Sequence, residues 1–423
     1  MKITAFETIR LGEFPNLLWV HIHTNEGLVG LGETFFGPRA VEAHIHETVA
    51  PLMLGKPALQ MDRHARTLQN QYLGFSGTGV EMRAASALDI ALWDLFGQAV
   101  GQPLHQCLGG LSHDKVRIYN TCAGYRYIRE GGQKTRNWGL DPAASGPYED
   151  LDAFLNRADE LAHSLLEQGF TAMKIWPFDF AAEATEGRSI SPGELDNALV
   201  PFRKIRDAVG RKMDIMAELH SLWTPPAAEV VLRALEQFQP FWVEDPIKVV
   251  NADLLASLRA RTSVPICASE TLATRRAFRE FLEADAVDVV MLDLSWCGGL
   301  GEAKKIATLA EAWGRPVAPH GLHRPSRADR LRAPIAQLPE YAGAGDGACL
   351  HDRLVSRCSD RPAGHARRLR LPDGRTGTWN QASARALDRS RLPAPSYQSL
   401  AGAGSLAAWR RPCSCAAGVR SHQ

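Results

Sequence analysis

Between Met213 and His320 the chain reads MDIMAEL (213–219), FWVED (241–245), VPICASE (264–270), VVMLD (289–293) and PVAPH (316–320). Each run is short, apolar and rich in β-branched or large side chains, and polar, Gly or Pro residues punctuate it, which is the pattern of a buried strand. Each also ends at or beside one ionisable residue: Glu218, Glu244, Glu270, Asp293 and His320. Between the runs lie segments of helical type, such as PAAEVVLRALEQF, ADLLASLRAR, TRRAFREFLEA and GEAKKIATLAEAW. Strand and helix alternating this way predict parallel βαβ units. Glu218, Glu244 and Glu270 follow one another at intervals of 26 residues, one unit each. Three adjacent parallel strands would therefore deliver three carboxylates to one end of a sheet. In a closed (β/α) barrel that end is the catalytic face.

Upstream, the same alternation begins at VRIYNTC (116–122) and continues at TAMKIW (171–176), which carries Lys174. Helices are expected over 151–168 and 194–209. That makes seven barrel strands by His320. The polar stretch 126–148 is long for a βα connection, and long loops at a barrel mouth usually set substrate specificity. Residues 1–114 read instead as an α+β module. KITAFETIRL, LLWVHIHTNE and LVGLGETFF alternate as antiparallel strands with a turn at Glu26-Gly27, and VEMRAASALDIALWDLFGQ (80–98) repeats apolar residues at helical spacing. The Gly74–Gly79 stretch precedes no phosphate-binding lysine and reads as a turn.

Composition narrows the class. A chain of 423 residues with 45% hydrophobic content and net charge +1 is long enough for a barrel and a second domain. No run of eighteen apolar residues exists, and MKITAFETIRLGEF lacks the apolar segment of a signal peptide, so a cytoplasmic, non-membrane protein is expected. The eight cysteines have no zinc-site spacing and read as reduced thiols.

The residue types at the strand ends define a chemistry. Carboxylates brought within a few ångströms repel unless a cation neutralises them, and oxygen-only donors favour Mg²⁺, with Mn²⁺ as the alternative. Such an ion can hold a substrate carboxylate and stabilise the enediolate formed when the α-proton leaves. His320 is placed to act as the base, with Asp293 as its hydrogen-bonded partner. His220, two residues after Glu218, is expected on the same strand face as a second acid/base. Lys174 is a further base or an electrostatic partner for the substrate carboxylate. A single strand-end glutamate is usually a salt-bridge partner in a loop. Three at equal βα intervals, followed by Asp and His on the next two strands, are not explained that way.

These residues carry a resemblance. Over residues 1–320 the chain resembles the mandelate racemase/muconate lactonizing enzyme family of the enolase superfamily. The resemblance rests on ALDIALWDLFGQAVGQPLHQCLGG (87–110), Lys174-Ile-Trp176, Glu218-Leu-His220, Val243-Glu244-Asp245-Pro246, Ala268-Ser-Glu270, Asp293 with Gly298-Gly299, and His320. It implies Mg²⁺ on Glu218, Glu244 and Glu270, an acid/base pair of His320 and Asp293, and a capping domain (1–114) over a modified TIM barrel. It also implies that residues 12–25 and 74–79 face a small carboxylate substrate, and it leaves room for a homo-oligomer. Racemases and cycloisomerases of the family carry Lys-x-Lys on the second strand, and here Trp176 stands at the second lysine. A His two residues past the first metal ligand is similar to the sugar-acid dehydratases, such as galactonate and mannonate dehydratases. Dehydration of a sugar acid to a 2-keto-3-deoxy acid is therefore the expected activity. Racemisation or cycloisomerisation through the same intermediate is the alternative, and an inactive, truncated-barrel pseudoenzyme is a third reading.

After His320 the pattern stops. Residues 321–423 hold 17 Arg, no Lys and 7 Asp+Glu, whereas residues 1–320 hold 31 basic and 40 acidic residues. Phe is absent from this tail and Ile335 is its one isoleucine. Arg without Lys, with much Ala, Pro and Gly, is what GC-rich coding sequence gives when read out of frame. Dropping one base at the codon for Gly321, with permissible synonymous codons, turns the next residues into DCTGPVVLTA and then ASAHLSLNCPNTLVQETVRAF, an amphipathic, family-like eighth unit. The expectation is a one-base insertion near Gly321, with the last βα unit lost and 321–423 a disordered, out-of-frame tail. The rival reading, a basic nucleic-acid-binding arm, lacks lysine, a motif and aromatic interleaving.

Overall fold

The structure, a computed structural model, describes residues 1–12, 14–71, 77–112, 116–124, 149–321 and 348–350. Three antiparallel strands open the chain: β1 (Ile3–Leu11), β2 (Phe14–Thr24) and β3 (Val29–Phe35), in the order β1-β2-β3. Leu18, Val20 and Ile22 of β2 are buried, whereas Trp19, His21 and His23 alternate with them toward the other face. The helix Val80–Val100 packs on the buried face and ends at Gly101, whose φ of 70° suits glycine. The approach is close because Gly30 and Gly32 lie under it. A Cβ on Gly32 would fall 1.9 Å from the Ala87 carbonyl oxygen, and one on Gly30 would fall 2.1 Å from that of Ala91.

The parallel strands follow as β4 (Arg117–Tyr119), β5 (Ala172–Ile175), β6 (Asp214–Glu218), β7 (Trp242–Glu244), β8 (Ile266–Ala268), β9 (Val289–Asp293) and β10 (Val317–His320). Strands β5 to β10 form one sheet in sequence order, and β4 joins its β5 edge through a bridge between Asn120 and Met173. At least one helix lies in each connection, and two of these helices start with a side chain that satisfies free backbone N–H groups. Ser191 and Glu194 make a capping box before the helix Pro192–Val209, and Asn251 caps Ala252–Arg259. The helix expected over 151–168 is two, Asp150–Asn156 and Ala158–Glu167, which meet at Arg157 with φ −137°.

Inward side chains stack in layers, as the period of two requires. Tyr119, Ala172, Met216, Trp242, Cys267, Met291 and Ala318 form a buried apolar layer. Two residues further along their strands, Lys174, Glu218, Glu244, Asp293 and His320 form the layer above it, and all five are buried. The apolar layer is the floor on which the polar one stands.

A short strand, β11 (Ala348–Leu350), runs parallel to β4 and lies beside β10. Apart from it and Gly321, the tail lies outside the described residues, as do the 126–148 loop and part of 74–79. No helix among the described residues is long and apolar enough to cross a membrane.

Among the contacts between cap and barrel, one caps a barrel helix. The helix Leu300–Ala312 begins after Gly298-Gly299, and its first turn has no side-chain cap of its own. Asp89 of the helix Val80–Val100 supplies one, accepting from the Gly301 N–H at 2.9 Å, while Ser86 accepts from the Gly298 N–H at 3.0 Å. A Cβ on Gly299 would lie 2.4 Å from Asp89.

Candidate active site

Glu218 and Glu244 end neighbouring strands in register, and Glu270 follows β8 by two residues. Oxygens of all three lie within 4.8 Å of one another. At that spacing each pair of charges repels by about 3–4 kcal/mol in a medium of effective dielectric ~20, so the trio costs roughly 10 kcal/mol. That approaches the whole stability of a domain. Positive charge has to be present. Part of it comes from Lys174, whose Nζ is 2.7 Å from Glu218 Oε2 and also donates to Glu244 Oε1. Burial disfavours the ammonium, but the two carboxylates outweigh it and hold Lys174 well above the usual lysine range. In this arrangement Lys174 serves the carboxylates as a counter-charge.

One lysine does not neutralise three carboxylates. Burial and the neighbouring Glu218 push Glu244 well above the usual carboxyl range, whereas Lys174 and His220 overcome burial to hold Glu218 low. A cation among the three oxygens would relieve the repulsion that raises Glu244. Trp242 Nε1–H donates to Glu244 Oε2 at 3.0 Å and orients it. Three oxygen donors on rigid strands above a dry floor fit a hard divalent cation.

His320 stands at the end of β10, 5% exposed. Its Nδ1 meets Asp293 Oδ2 at 2.9 Å, and its Nε2 is 3.1 Å from Glu270 Oε2. The aspartate fixes the ring so that Nε2 faces the carboxylates. Trp296 stacks on the imidazole at 5.7 Å, and the Arg83 guanidinium from the cap lies 5.7 Å from the centre of the Trp296 ring.

His220 departs from the expected placement. It does not continue the face of β6, because the strand ends at Glu218 and the chain turns through left-handed backbone at His220 (φ 47°) and Ser221 (φ 58°). Its N–H donates to Glu218 Oε1 at 2.8 Å, which turns the backbone back toward the carboxylate. The ring still reaches the site, held by Asp179 Oδ2 at 2.6 Å from Nδ1 and by Trp176, whose ring centre is 4.8 Å away. Burial opposes the charge on His220, yet Asp179 and Glu218 raise it to about 9. Burial lifts Asp179 to about 6 despite His220.

The sequence reading brought together Glu218, Glu244, Glu270, Asp293, His320 and Lys174, and the structure gathers all of them. It missed Asp179, Trp242, Trp296, Arg83 and the buried Asp245, which accepts from Ser269 Oγ at 2.7 Å. For Asp179 a signal existed: it is the one charged residue in WPFDF (176–180).

Two His–Asp pairs and a carboxylate trio on the strand ends of a capped parallel barrel define a class of protein, the enolase superfamily. The chain belongs to its mandelate racemase/muconate lactonizing enzyme family. Residues 4–109 match the mandelate racemase/muconate lactonizing enzyme N-terminal domain, and residues 157–344, which run past His320, match the enolase C-terminal domain-like family. Among curated relatives, the D-galactonate dehydratase of Variovorax paradoxus (strain S110) is 31% identical over 324 residues, covering 76% of this chain and 75% of that one. That of Ralstonia nicotianae is 32% identical over 327 residues, with the same shares. Among solved structures, an enolase of the mandelate racemase subgroup from Agrobacterium tumefaciens is 47% identical with a TM-score of 0.73, covering 84% of this chain and 87% of that one. An enolase from Sargasso Sea environmental sequencing is 45% identical with a TM-score of 0.72, covering 83% and 85%.

Proposed function

We propose that the chain is a sugar-acid dehydratase, a hydro-lyase that converts an acid sugar to its 2-keto-3-deoxy acid. The observation that carries this is the pair of His–Asp dyads. His220 follows β6 and His320 ends β10, so Glu244 on β7 and Glu270 after β8 lie between them in the strand order. Each ring is anchored through Nδ1, which directs Nε2 at the substrate space.

Dehydration needs these two functions. His320 Nε2 takes the proton from the carbon α to the carboxylate, and Asp293 stabilises the imidazolium that results. His220, held protonated by Asp179 and Glu218, gives its proton to the departing β-hydroxyl. The C–H and C–O bonds break, water leaves, and the enol product tautomerises to the 2-keto acid. Glu218, Glu244 and Glu270 would hold Mg²⁺, or Mn²⁺, which when bound supplies positive charge for the substrate carboxylate. Trp176 supports this reading over two-base racemisation. It is buried against His220 and Phe154, and it fills the place where a second lysine would stand.

The test is a panel of aldonates and aldarates with Mg²⁺, beginning with galactonate because the curated relatives bear that name, followed by assay for 2-keto-3-deoxy acid. Racemisation or lactone opening without loss of water would overturn the proposal in favour of the alternative family chemistries. No turnover by a folded chain that binds Mg²⁺ would point to the inactive reading.

We further propose that residues from Gly321 onward are translated out of frame. The arginine-rich, lysine-free composition supports this, as does the family-like peptide that one dropped base restores.

A further inference from the structure

We propose that Glu7, His21 and His23 form a second metal site, on the outer face of the capping sheet, selective for a borderline cation of the Zn²⁺ type. His21 and His23 are two apart on β2 and therefore share a face, and Glu7 of β1 stands directly opposite His21 in the ladder. His21 Nδ1 lies 3.1 Å and His23 Nε2 lies 3.0 Å from the same atom, Glu7 Oε2. The three donor atoms fall within 4.8 Å of one another.

Those distances suit a tetrahedral ion. With zinc–nitrogen and zinc–oxygen bonds of about 2.0–2.1 Å, donors on adjacent corners of a tetrahedron sit about 3.3 Å apart. The two N···O separations need to open by only a few tenths of an ångström to admit the ion. Little backbone movement is required, because the opposite face of β2 is packed on the helix Val80–Val100 through Leu18, Val20 and Ile22. Glu7 is half exposed, so water can fill the fourth position. Two imidazoles with one carboxylate select Zn²⁺, Ni²⁺ or Cu²⁺ over Mg²⁺, the reverse of the oxygen-only cage. A bound ion would tie β1 to β2 and stiffen the domain that covers the barrel mouth.

The experiment is calorimetric titration of ZnCl₂ into the metal-stripped full chain, with Mg²⁺ in large excess to occupy the carboxylate cage. One equivalent of Zn²⁺ is expected. It should be lost in His21→Gln and in His23→Gln, while Mg²⁺ binding and the circular dichroism spectrum stay unchanged. Co²⁺ in place of Zn²⁺ should give the visible bands of a four-coordinate site in the wild type and not in the variants. The proposal is overturned if the wild type takes up no Zn²⁺ under Mg²⁺, or if His23→Gln takes up as much as the wild type. It is equally overturned if the uptake disappears in Glu244→Gln instead.

Discussion

Charge balance at Glu244 sets the strongest single-residue expectation. The side chain is fully buried and shares Lys174 with Glu218, so replacing it by Gln removes one ligand from the proposed cage. Outer partners of metal ligands contribute roughly 10–100-fold to affinity, and loss of a ligand itself should exceed that. Titration of Glu244→Gln with Mg²⁺ should show a drop of more than a hundredfold, and unchanged affinity would remove the trio from metal binding. The two histidines should separate cleanly. His320→Asn is expected to abolish exchange of the α-proton in D₂O. His220→Asn should keep exchange while dehydration slows by roughly 10²–10⁴-fold. Loss of exchange in both variants would argue against distinct roles.

The pH profile follows from the same pair. A general acid works protonated, so its contribution is present below its pKa and fades as pH rises through it. With His220 at about 9, the falling limb of kcat should lie near pH 9. Asp179→Asn removes the largest charge that raises it, and the limb should move down toward the ordinary 6.5. A limb that stays in place would take His220 out of the acid role. Glu218, Glu244, Asp293 and His320 were legible because each ends a strand, where residue type and period alone fix direction, and Glu270 because it lies one βα unit beyond Glu244. Asp179 was not, because its meeting with His220 depends on a left-handed turn at 220 and on how a loop after β5 folds back.

At the scale of elements, the cap depends on one close approach. Gly32→Ala would drive a methyl into the Ala87 carbonyl, which is backbone and cannot rotate aside. The overpacking should cost about 1–3 kcal/mol and lower the melting temperature by several degrees. A melt identical to wild type would show that helix and sheet can part without cost. The strands and helices themselves were readable from periodicity, including the three-strand cap and the seven βα strands. What periodicity could not supply was the break at Arg157, or the fact that Asp89, more than two hundred residues away in sequence, caps the helix Leu300–Ala312. Both depend on tertiary packing.

For the whole molecule the decisive site is the codon of Gly321. Reading the genomic DNA there should reveal one base too many. A chain expressed with that base removed should melt higher and turn over faster than the present one, because an intact strand and helix would replace the three-residue β11 as the only cover among the described residues between β10 and β4. An error-free frame at that codon, or a corrected chain that is no more stable, would reject the frameshift. Composition alone made this boundary visible, since arginine usage changes within a few residues of His320.

The latch at Asp89 has a consequence for how such a protein can diversify. Cap and barrel look like modules, one for choosing substrates and one for chemistry, and recombination could be expected to trade them. Yet the first turn of a barrel helix takes its cap from Asp89, and Gly298 donates to Ser86. A transplanted cap without an acid at 89 and a hydroxyl at 86 would leave buried amides unpaired beside the strand that carries Asp293. A cap exchanged for another would therefore have to bring an acid at 89 and a hydroxyl at 86 with it.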